Sequence, residues 1–348
     1  MEIGIGVKFK RAPDAAQSWS EVYEEWIEYA RVADRLGYDF IVVPEHHSVA
    51  IGYNPTPFLT LTALARETER IRLATQPLLL PLYHPVHVAE QLAVLDLLSN
   101  GRAMLGIGVG YREGDFEAFG VPRHERGDRT DEALTILLGA LRERGFSHEG
   151  RYHSASGVDL LPPPVQRPHP KVYVTARSRP ALARAVRFGL GVNTLHREAI
   201  GRGVYADYCE LAGEQGVDPA TLDFTIVRNG YIAADAAEAV RIGAPFIEGR
   251  TEYMAAGEFA GRDEYPREVT QVAADTGASF ATEGELIGTP AMWIEAMQAD
   301  IEALSGPIPF TGWTLGIRPE GMSLADGLSA LELFAAEVLP WVHAQEPR

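Results

Sequence analysis

The sequence predicts a single (β/α)8 barrel, the TIM-barrel fold, carrying insertions. Eight apolar segments of strand length alternate with helical patterns along the 348 residues, and this alternation is typical of a parallel sheet covered by helices. The chain also exceeds the roughly 250 residues of a bare barrel. A doubly wound open sheet is the alternative, but it would show a glycine-rich fingerprint after the first strand, and residues 8–17 carry none.

The first half of the chain contains four of these units. Ser18 and Glu21 have the spacing of a capping box before a helix that Gly37 ends, and His84-Pro85 opens a later helix. The predicted strands are Glu2–Phe9, the run from Asp39 to His47, Ile71–Pro81 and Arg102–Ile107, and the predicted helices after residue 50 are Pro57–Glu69, 85–98 and Asp128–Arg144.

The second half completes the count with four more strands. The predicted strands are Lys171–Val174, Gly191–Asn193, Phe224–Asn229 and Phe310–Gly316, and the predicted helices are 180–188, Arg197–Glu214, Pro290–Leu304 and Leu324–Val338. One long segment, Gly243–Gly288, interrupts the alternation. A connection of that length in a compact domain is usually a lid or a binding insertion, so we expect a lid there. No change of composition marks a second domain across residues 1–348.

Composition excludes several classes of protein. A net charge of -17 argues against a surface for nucleic acid or for anionic membranes, which needs clustered basic residues. The one cysteine, Cys209, excludes an internal disulfide framework and a cysteine-rich metal site, and it favours a reducing, cytoplasmic location. No run of about 18 apolar residues predicts a membrane span, and the first residues do not resemble a signal peptide.

Three ionisable residues, Glu45-His46-His47, follow the second predicted strand. Barrels place their chemistry at the C-terminal ends of strands. A metal site needs three or four converging ligands, whereas adjacent residues at a strand end point in different directions, so we expect no metal here. His46 fits better as an acid–base group or hydrogen-bond donor. The alternative is that both histidines are structural.

Two further strand ends carry unusual residues. Gln76-Pro77 ends the third strand, where a cis peptide and an ordinary trans proline both remain open. The fourth strand leads into Gly106, Gly108 and Gly110, a weak pattern for a phosphate loop. These glycines more readily allow a ligand or a neighbouring backbone to approach closely.

The best candidate for an anion site lies after the fifth strand. Arg177-Ser178-Arg179 precedes a helix with Pro180 in its first turn. Two guanidinium groups, a hydroxyl and helix N-terminal amides would suit a phosphate monoester. A solvated, arginine-rich loop is the alternative.

Taken as a set, several motifs resemble the bacterial luciferase-like family of flavin-dependent monooxygenases. They lie in order along nearly the whole chain: Val43–His47, Leu80–Val86, Leu95–Arg102, Gly108–Tyr111, Phe116–Gly120, Val172–Val174, Gly288–Pro290 and Leu339-Pro340. The resemblance implies a (β/α)8 barrel in which reduced FMN reacts with dioxygen to give a flavin hydroperoxide that oxygenates a small organic substrate.

The resemblance also assigns roles. The active-site histidine of the family falls on His46, with Glu45 beside it, and the cis peptide under the flavin ring falls on Gln76-Pro77. Expected cofactor contacts are Gly110, Tyr111 and the phosphate loop Thr175, Ala176, Arg177 and Ser178.

One departure from luciferase concerns the loop after the fourth strand. Luciferase carries a phosphate-binding arginine there, preceded by a reactive cysteine, and this chain has Val109 and Gly108. Arg177, with Arg179 or Arg112, would have to supply the missing charge. The aldehyde specificity of luciferase is therefore not implied.

The same resemblance implies partners. Because the chain has no dinucleotide fingerprint, we expect a separate NAD(P)H:flavin reductase to supply reduced FMN. A homodimer is expected from the family and from the prevalence of twofold symmetry. Two rival functions remain on this fold: hydride transfer with a deazaflavin coenzyme, and non-catalytic flavin binding.

Overall fold

Eight parallel strands form a closed barrel in the computed structural model, which describes residues 1–11, 15–49, 51–255, 285–319 and 321–347. The barrel strands are Glu2–Gly6 (β1), Phe40–Val43 (β2), Arg72–Leu79 (β3), Ala103–Gly108 (β4), Lys171–Thr175 (β7), Gly191–Leu195 (β8), Phe224–Ile232 (β9) and Phe310–Gly316 (β11). They are hydrogen-bonded in that order, and β11 returns to β1. The (β/α)8 prediction is confirmed.

Three further strands lie outside the barrel wall. Phe146–Glu149 (β5) and Ser154–Val158 (β6) pair as an antiparallel hairpin. Glu285–Gly288 (β10) runs parallel to the end of β9, which therefore has three neighbours.

Helices surround the barrel. They are Trp19–Leu36 (α1), Pro57–Glu67 (α2), Pro85–Leu98 (α3), Glu113–Phe119 (α4), Arg126–Arg142 (α5), Arg179–Phe188 (α6), His196–Ala199 (α7), Val204–Glu214 (α8), Ala236–Ala255 (α9), Pro290–Ala303 (α10), Leu324–Glu337 (α11) and Leu339–His343 (α12). Across the described part of the chain, each helix is too short or too polar to cross a lipid bilayer.

Helix α1 shows how the sequence sets these boundaries. The Ser18 side chain accepts a hydrogen bond from the Glu21 backbone, and the Glu21 carboxylate accepts one from the Ser18 backbone, which is the predicted capping box. Gly37 ends the helix with φ 91°, a left-handed conformation that glycine adopts without a steric penalty.

The strands bury both faces, as parallel barrels require. One face packs against the helices in a single large core, in which Trp293, Trp313 and Tyr208 are fully buried. The alternate residues form a separate cluster inside the barrel: Phe40, Val42, Ala74, Met104 and Tyr173. Side chains therefore fill this part of the barrel interior.

Several elements differ from the sequence predictions. The helix predicted for 197–214 is two helices, α7 and α8, separated by a turn in which Gly203 has φ 71°. The hairpin and α4 were not predicted, because their short segments lack a clear period. The predicted lid, 243–288, overlaps α9 and β10 at its two ends. Its middle, 256–284, lies outside the described residues, so its closing over a site stays a prediction.

One buried carboxylate joins four elements of the second half. Asp300 on α10 accepts hydrogen bonds from both Arg228 on β9 (2.6 and 3.0 Å) and the Trp313 indole on β11 (2.9 Å). It also accepts one from His196 Nε2 at the start of α7 (2.9 Å). We call these four residues the Asp300 network.

Candidate active site

The residues that the sequence singled out gather at one rim of the barrel, where the parallel strands end. His46 follows β2, Gln76-Pro77 lies near the end of β3, and Arg177 follows β7. Because strands β2 and β7 belong to one closed parallel sheet, both positions lie on the same rim, as the prediction required.

His46 is held by a buried carboxylate that the sequence analysis did not find. Its Nδ1 lies 3.1 Å from Oδ2 of Asp115, which α4 places at the rim. Asp115 is fully buried and also accepts hydrogen bonds from the His47 backbone (3.1 Å) and from Arg112 (2.9 Å). Burial opposes ionisation, but these bonds outweigh it and hold the Asp115 pKa below its usual value. The carboxylate thus orients the imidazole and fixes its tautomer.

Aromatic rings enclose the imidazole. Tyr53 and Tyr111 contact His46 edge-on, with ring centroids 4.6 and 5.6 Å away. The Lys10 ammonium lies 3.7 Å from the centroid of the Tyr53 ring. Tyr53 has φ 96°, a conformation that is costly for an aromatic residue, and such strain concentrates at functional sites.

Burial lowers the pKa of His46, and its hydrogen bond to Asp115 only partly opposes this. We therefore expect His46 to be neutral at pH 7 and to titrate below its ordinary value of 6.5 in an NMR titration of the ring. Since the unfolded chain then binds more protons, the contribution of this group to stability falls as the pH drops below 6.5 and is complete above it. In Asp115→Asn the His46 pKa should fall further. A His46 pKa above 6.5 in the wild type would contradict the geometry.

Glu45, the residue before His46, is bound to a different set of partners. Its carboxylate is fully buried and accepts hydrogen bonds from the Leu79 backbone (2.7 Å), the Tyr83 hydroxyl (2.5 Å) and His47 Nε2 (2.8 Å). Two adjacent residues of an extended chain point to opposite sides, so Glu45 pairs with His47 while His46 turns to Asp115. These contacts give Glu45 a positioning role, whereas Asp115 is the carboxylate that orients His46.

Replacing Glu45 with glutamine should therefore destabilise the fold more than it affects chemistry. The amide cannot accept all three bonds, and a buried donor left unpaired costs about 1–3 kcal/mol. We expect a lower midpoint in urea, measured by circular dichroism, with turnover per folded molecule within a few-fold of wild type. Full stability combined with lost turnover would restore a catalytic role for Glu45.

The third strand carries the Gln76-Pro77 peptide, which is cis in the structure. The Gln76 amide contacts Tyr173 and Thr314 across the barrel: Tyr173 donates to its Oε1 (3.0 Å), and its Nε2 lies 3.4 Å from the Thr314 hydroxyl. A methyl group on Gly108 would come within 2.8 Å of the Pro77 ring. Strand β4 therefore needs glycine to pack beside this proline.

The end of β4 leads into two more of the expected cofactor contacts, Gly110 and Tyr111. Gly110 has φ 71°, and a methyl group on it would meet the ring of Phe116 at 2.8 Å. Glycine there lets the chain turn toward α4, so that Tyr111 reaches His46 and Asp115 follows. The glycines of this loop thus serve close packing, the interpretation that the sequence favoured.

The rim above β7 and β8 holds polar atoms without a visible role in the fold. Among the described residues, the buried Thr175 hydroxyl and Asn193 Oδ1 have no hydrogen-bond partner. The two residues are paired across neighbouring strands and share a face with Tyr173, which points into the barrel. Ala176 is buried beside them, and its backbone amide bonds to the Asn193 carbonyl. Unsatisfied buried polar atoms are rare in folded proteins, so we expect a water or a ligand to bind here.

The predicted cluster of two arginines is not formed. Arg177 lies 3.6 Å from the buried Glu198 carboxylate, which Arg197 and Arg202 also approach at 3.5 and 3.4 Å. Arg179 instead turns outward to three carboxylates of α8, with Glu210 and Glu214 at 2.7 and 2.8 Å.

Of the three arginines expected near the phosphate, Arg112 and Arg179 are held by other partners, and Arg177 remains the candidate. Arg112 is bound to Asp115 and to the His47 carbonyl, so it serves the His46 side of the rim. Ser178 is the N-cap residue of α6, and its hydroxyl makes no capping bond.

Sequence reasoning missed Asp115, Tyr53, Arg197 and Arg202. All four lie in loops or short helices beyond strand ends, where no periodic pattern predicts a contact. The motif Phe116–Gly120 lies directly after Asp115 and pointed to the segment, though not to the residue.

Comparisons with known proteins agree on the family. A family model described as luciferase-like monooxygenase matches residues 1–306. The oxygenase component of a flavin-dependent trigonelline monooxygenase from Acinetobacter baylyi is 31% identical over 194 residues, which cover 55% of this chain and 53% of that protein. The chain thus spans about half the length of this curated relative.

Solved structures resemble the whole chain. The monooxygenase RslO1 from Streptomyces bottropensis has a TM-score of 0.83 and 29% identity, covering 98% of this chain and 99% of its own. The oxygenating constituent of 3,6-diketocamphane monooxygenase from Pseudomonas putida, solved in complex with FMN, shares the fold with a TM-score of 0.78 and 24% identity over 98% of both chains.

Proposed function

Because the chain belongs to the luciferase-like monooxygenase family, we propose that it is an FMN-dependent monooxygenase that uses reduced FMN and dioxygen to place one oxygen atom in a small organic substrate. The observation that carries this proposal is the buried His46–Asp115 pair, which shares a rim with the unsatisfied polar atoms of Thr175 and Asn193.

The residues beyond β7 and β8 fit FMN. The ribityl hydroxyls of the cofactor can satisfy Thr175 and Asn193, whose atoms otherwise remain buried without partners. Arg177, the Ser178 hydroxyl and the first amides of α6 would bind its phosphate. Gly110, Tyr111 and the Gln76-Pro77 peptide remain our proposed contacts nearer the ring. When bound, reduced FMN supplies the electrons that activate dioxygen.

The protein itself supplies orientation, a proton site and exclusion of water. Burial lowers the pKa of His46, so we expect a neutral imidazole at pH 7 that can accept a proton from the substrate and return it later. Asp115 stabilises the imidazolium that this transfer would form. Tyr53 and Tyr111 cover the imidazole on two sides and keep water from it.

The decisive test of this proposal mixes the protein, loaded anaerobically with reduced FMN, with aerated buffer. We expect tight binding of reduced FMN and flavin oxidation slower than that of free reduced FMN, followed by oxygen transfer when a substrate is present. Binding of a reduced deazaflavin with hydride transfer and no use of dioxygen would favour the first rival. Flavin binding without any change in the oxygen reaction would favour the second.

We also propose that a separate NAD(P)H:flavin reductase supplies the reduced cofactor. The trigonelline relative is named as an oxygenase component, which implies a second component in that system. NADH-driven turnover by the purified chain with catalytic FMN would contradict this proposal.

A homodimer is the assembly we propose, through an apolar surface on α2 and α3, which pack side by side. The exposed fractions there are high for large apolar residues: 71% for Leu59, 43% for Val94, 39% for Leu97 and 42% for Leu98. Large apolar side chains exposed on two neighbouring helices favour an interface at this surface.

Replacing Leu97 with arginine should therefore dissociate the dimer, because it places a charge within the apolar surface. Light scattering should give about twice the mass of the 38.0 kDa chain for wild type and the mass of one chain for the variant. Glu332→Arg, on the exposed face of α11, is the control and should remain dimeric. A monomeric wild type at micromolar concentration would refute the proposal.

A further inference from the structure

Lys8 reaches into the mouth of the barrel. Successive residues of β1 face alternately into the barrel and outward. Gly4 faces the interior, where a methyl group would overlap the ring of Phe40. Lys8 is four residues further on and shares this face. A methyl group on Gly316 of β11 would lie 3.1 Å from Lys8 Nζ, and one on Gly6 would lie 3.6 Å from its Cε. The lysine therefore lies over two glycines at the end of the barrel where the strands finish.

An amide lies at the same place. The methyl group imagined on Gly316 would overlap Oδ1 of Asn229, the residue paired with Gly316 on the neighbouring strand β9. The glycine thus leaves room for an ammonium and an amide to approach one another. The lysine ammonium donates hydrogen bonds to an oxygen anion, and the Asn229 amide can add its nitrogen as a donor when the side chain turns, since Oδ1 itself only accepts.

The choice of lysine is unusual in this chain. Of its 31 basic residues, only Lys8, Lys10 and Lys171 are lysines. Lys171 begins β7, at the opposite end of the barrel, where it pairs with Asp223. The other two lysines, Lys8 and Lys10, lie at the rim, and the remaining basic residues are arginines. An ammonium is a compact point charge, suited to one oxygen atom rather than to a bidentate phosphate.

The position of Lys8 separates it from the proposed phosphate site. In the order of the barrel, β1 and β7 are four strands apart and therefore face each other across the mouth. His46, in contrast, follows β2, which is the direct neighbour of β1. An anion held by Lys8 would lie on the His46 side of the mouth, opposite Arg177.

We propose that Lys8, assisted by Asn229, binds an anionic oxygen of the organic substrate, a carboxylate or an enolate, and presents that substrate to His46. That the bound anion is the substrate of a reaction rests on the proposed function. Binding of an anion at Lys8 does not itself require turnover. It specifies an acidic or enolisable compound as the class that this enzyme accepts. In a chain of net charge -17, a local cation at the mouth also favours the entry of anions.

Acetylation with an N-hydroxysuccinimide ester, read by mass spectrometry, tests the site directly because the chain has only three lysines. We expect benzoate to slow the acetylation of Lys8 at least five-fold, whereas its neutral analogue benzamide should not. The acetylation of Lys171 serves as the internal control and should change with neither compound. The measurement is made with and without oxidised FMN, and equal protection by both compounds, or none by benzoate, would overturn the proposal.

Variants provide the second arm, using calorimetry with benzoate. Lys8→Met should raise the benzoate Kd about 10-fold or more, the usual effect of losing a charge-assisted hydrogen bond. Gly316→Ala should do the same by displacing the side-chain ends of Lys8 and Asn229, at little cost to the fold. Lys171→Met should bind benzoate as wild type does.

The FMN affinity of the same variants separates this inference from the proposed function. We expect the FMN Kd of Lys8→Met to stay within two-fold of wild type. Weakened FMN binding with unchanged benzoate binding would assign Lys8 to the cofactor and overturn the inference. Failure of the wild type to bind FMN, with benzoate protection intact, would instead reject the proposed function and leave the anion site standing.

Discussion

Replacing His46 with alanine should lower turnover by a factor of about 10² to 10⁴, the usual contribution of a general acid–base group. The Kd of FMN should change little, because the proposed contacts of its phosphate and ribityl chain lie beyond β7 and β8, across the barrel from His46. Stopped-flow oxidation of bound reduced FMN, together with product analysis, measures the first quantity, and flavin fluorescence measures the second.

Asp115→Asn separates positioning from chemistry at the same site. The amide keeps the shape of the side chain but cannot stabilise an imidazolium, so the pH profile of turnover should shift with the His46 pKa. His47→Gln is the matched control, because His47 points to Glu45 and away from the site. Undiminished turnover in His46→Ala would remove the assigned role of the imidazole.

Replacing Arg177 with methionine should weaken FMN binding about 10- to 100-fold, because one charge-assisted hydrogen bond to the phosphate is lost. Riboflavin has the same ring and ribityl chain but no phosphate, so its Kd should not change. The comparison of the two ligands in one variant isolates the phosphate contact from any general damage to the site.

Arg179→Met supplies the control for this comparison. Arg179 is adjacent in sequence and equally basic, but its guanidinium is held by carboxylates of α8 at the surface. FMN should bind to this variant as it does to wild type. An equal loss of FMN and riboflavin affinity in Arg177→Met would place the phosphate elsewhere.

The barrel was predictable because its signals are local. Strand β2 is a continuous apolar run, and α1 carries a capping box and a terminal glycine within its own sequence. The hairpin β5–β6 was not predicted, because its strands of four and five residues are largely exposed and carry only a weak apolar pattern. Periodicity therefore found the elements with long buried faces and missed the short ones.

The site was predictable only as far as strand ends determine it. His46, Gln76-Pro77 and Arg177 were placed correctly on one rim, because the C-terminal ends of parallel strands meet there. The partner of His46 is 69 residues away on a short helix, so no spacing rule connects the two. Arg179 was misplaced for the same reason. Its carboxylate partners lie on α8, and no sequence pattern shows how α6 and α8 pack against each other.

The Asp300 network determines which elements should unfold together in acid. Burial opposes ionisation of Asp300, but its bonds to His196 and Arg228 keep its pKa below the usual 3.8. Its contribution is therefore complete above that value and disappears only in stronger acid. Protonation of Asp300 would then leave the Arg228 charge buried without its carboxylate partner. We therefore expect one cooperative unit to unfold together, made of α10, β9, β11 and the start of α7.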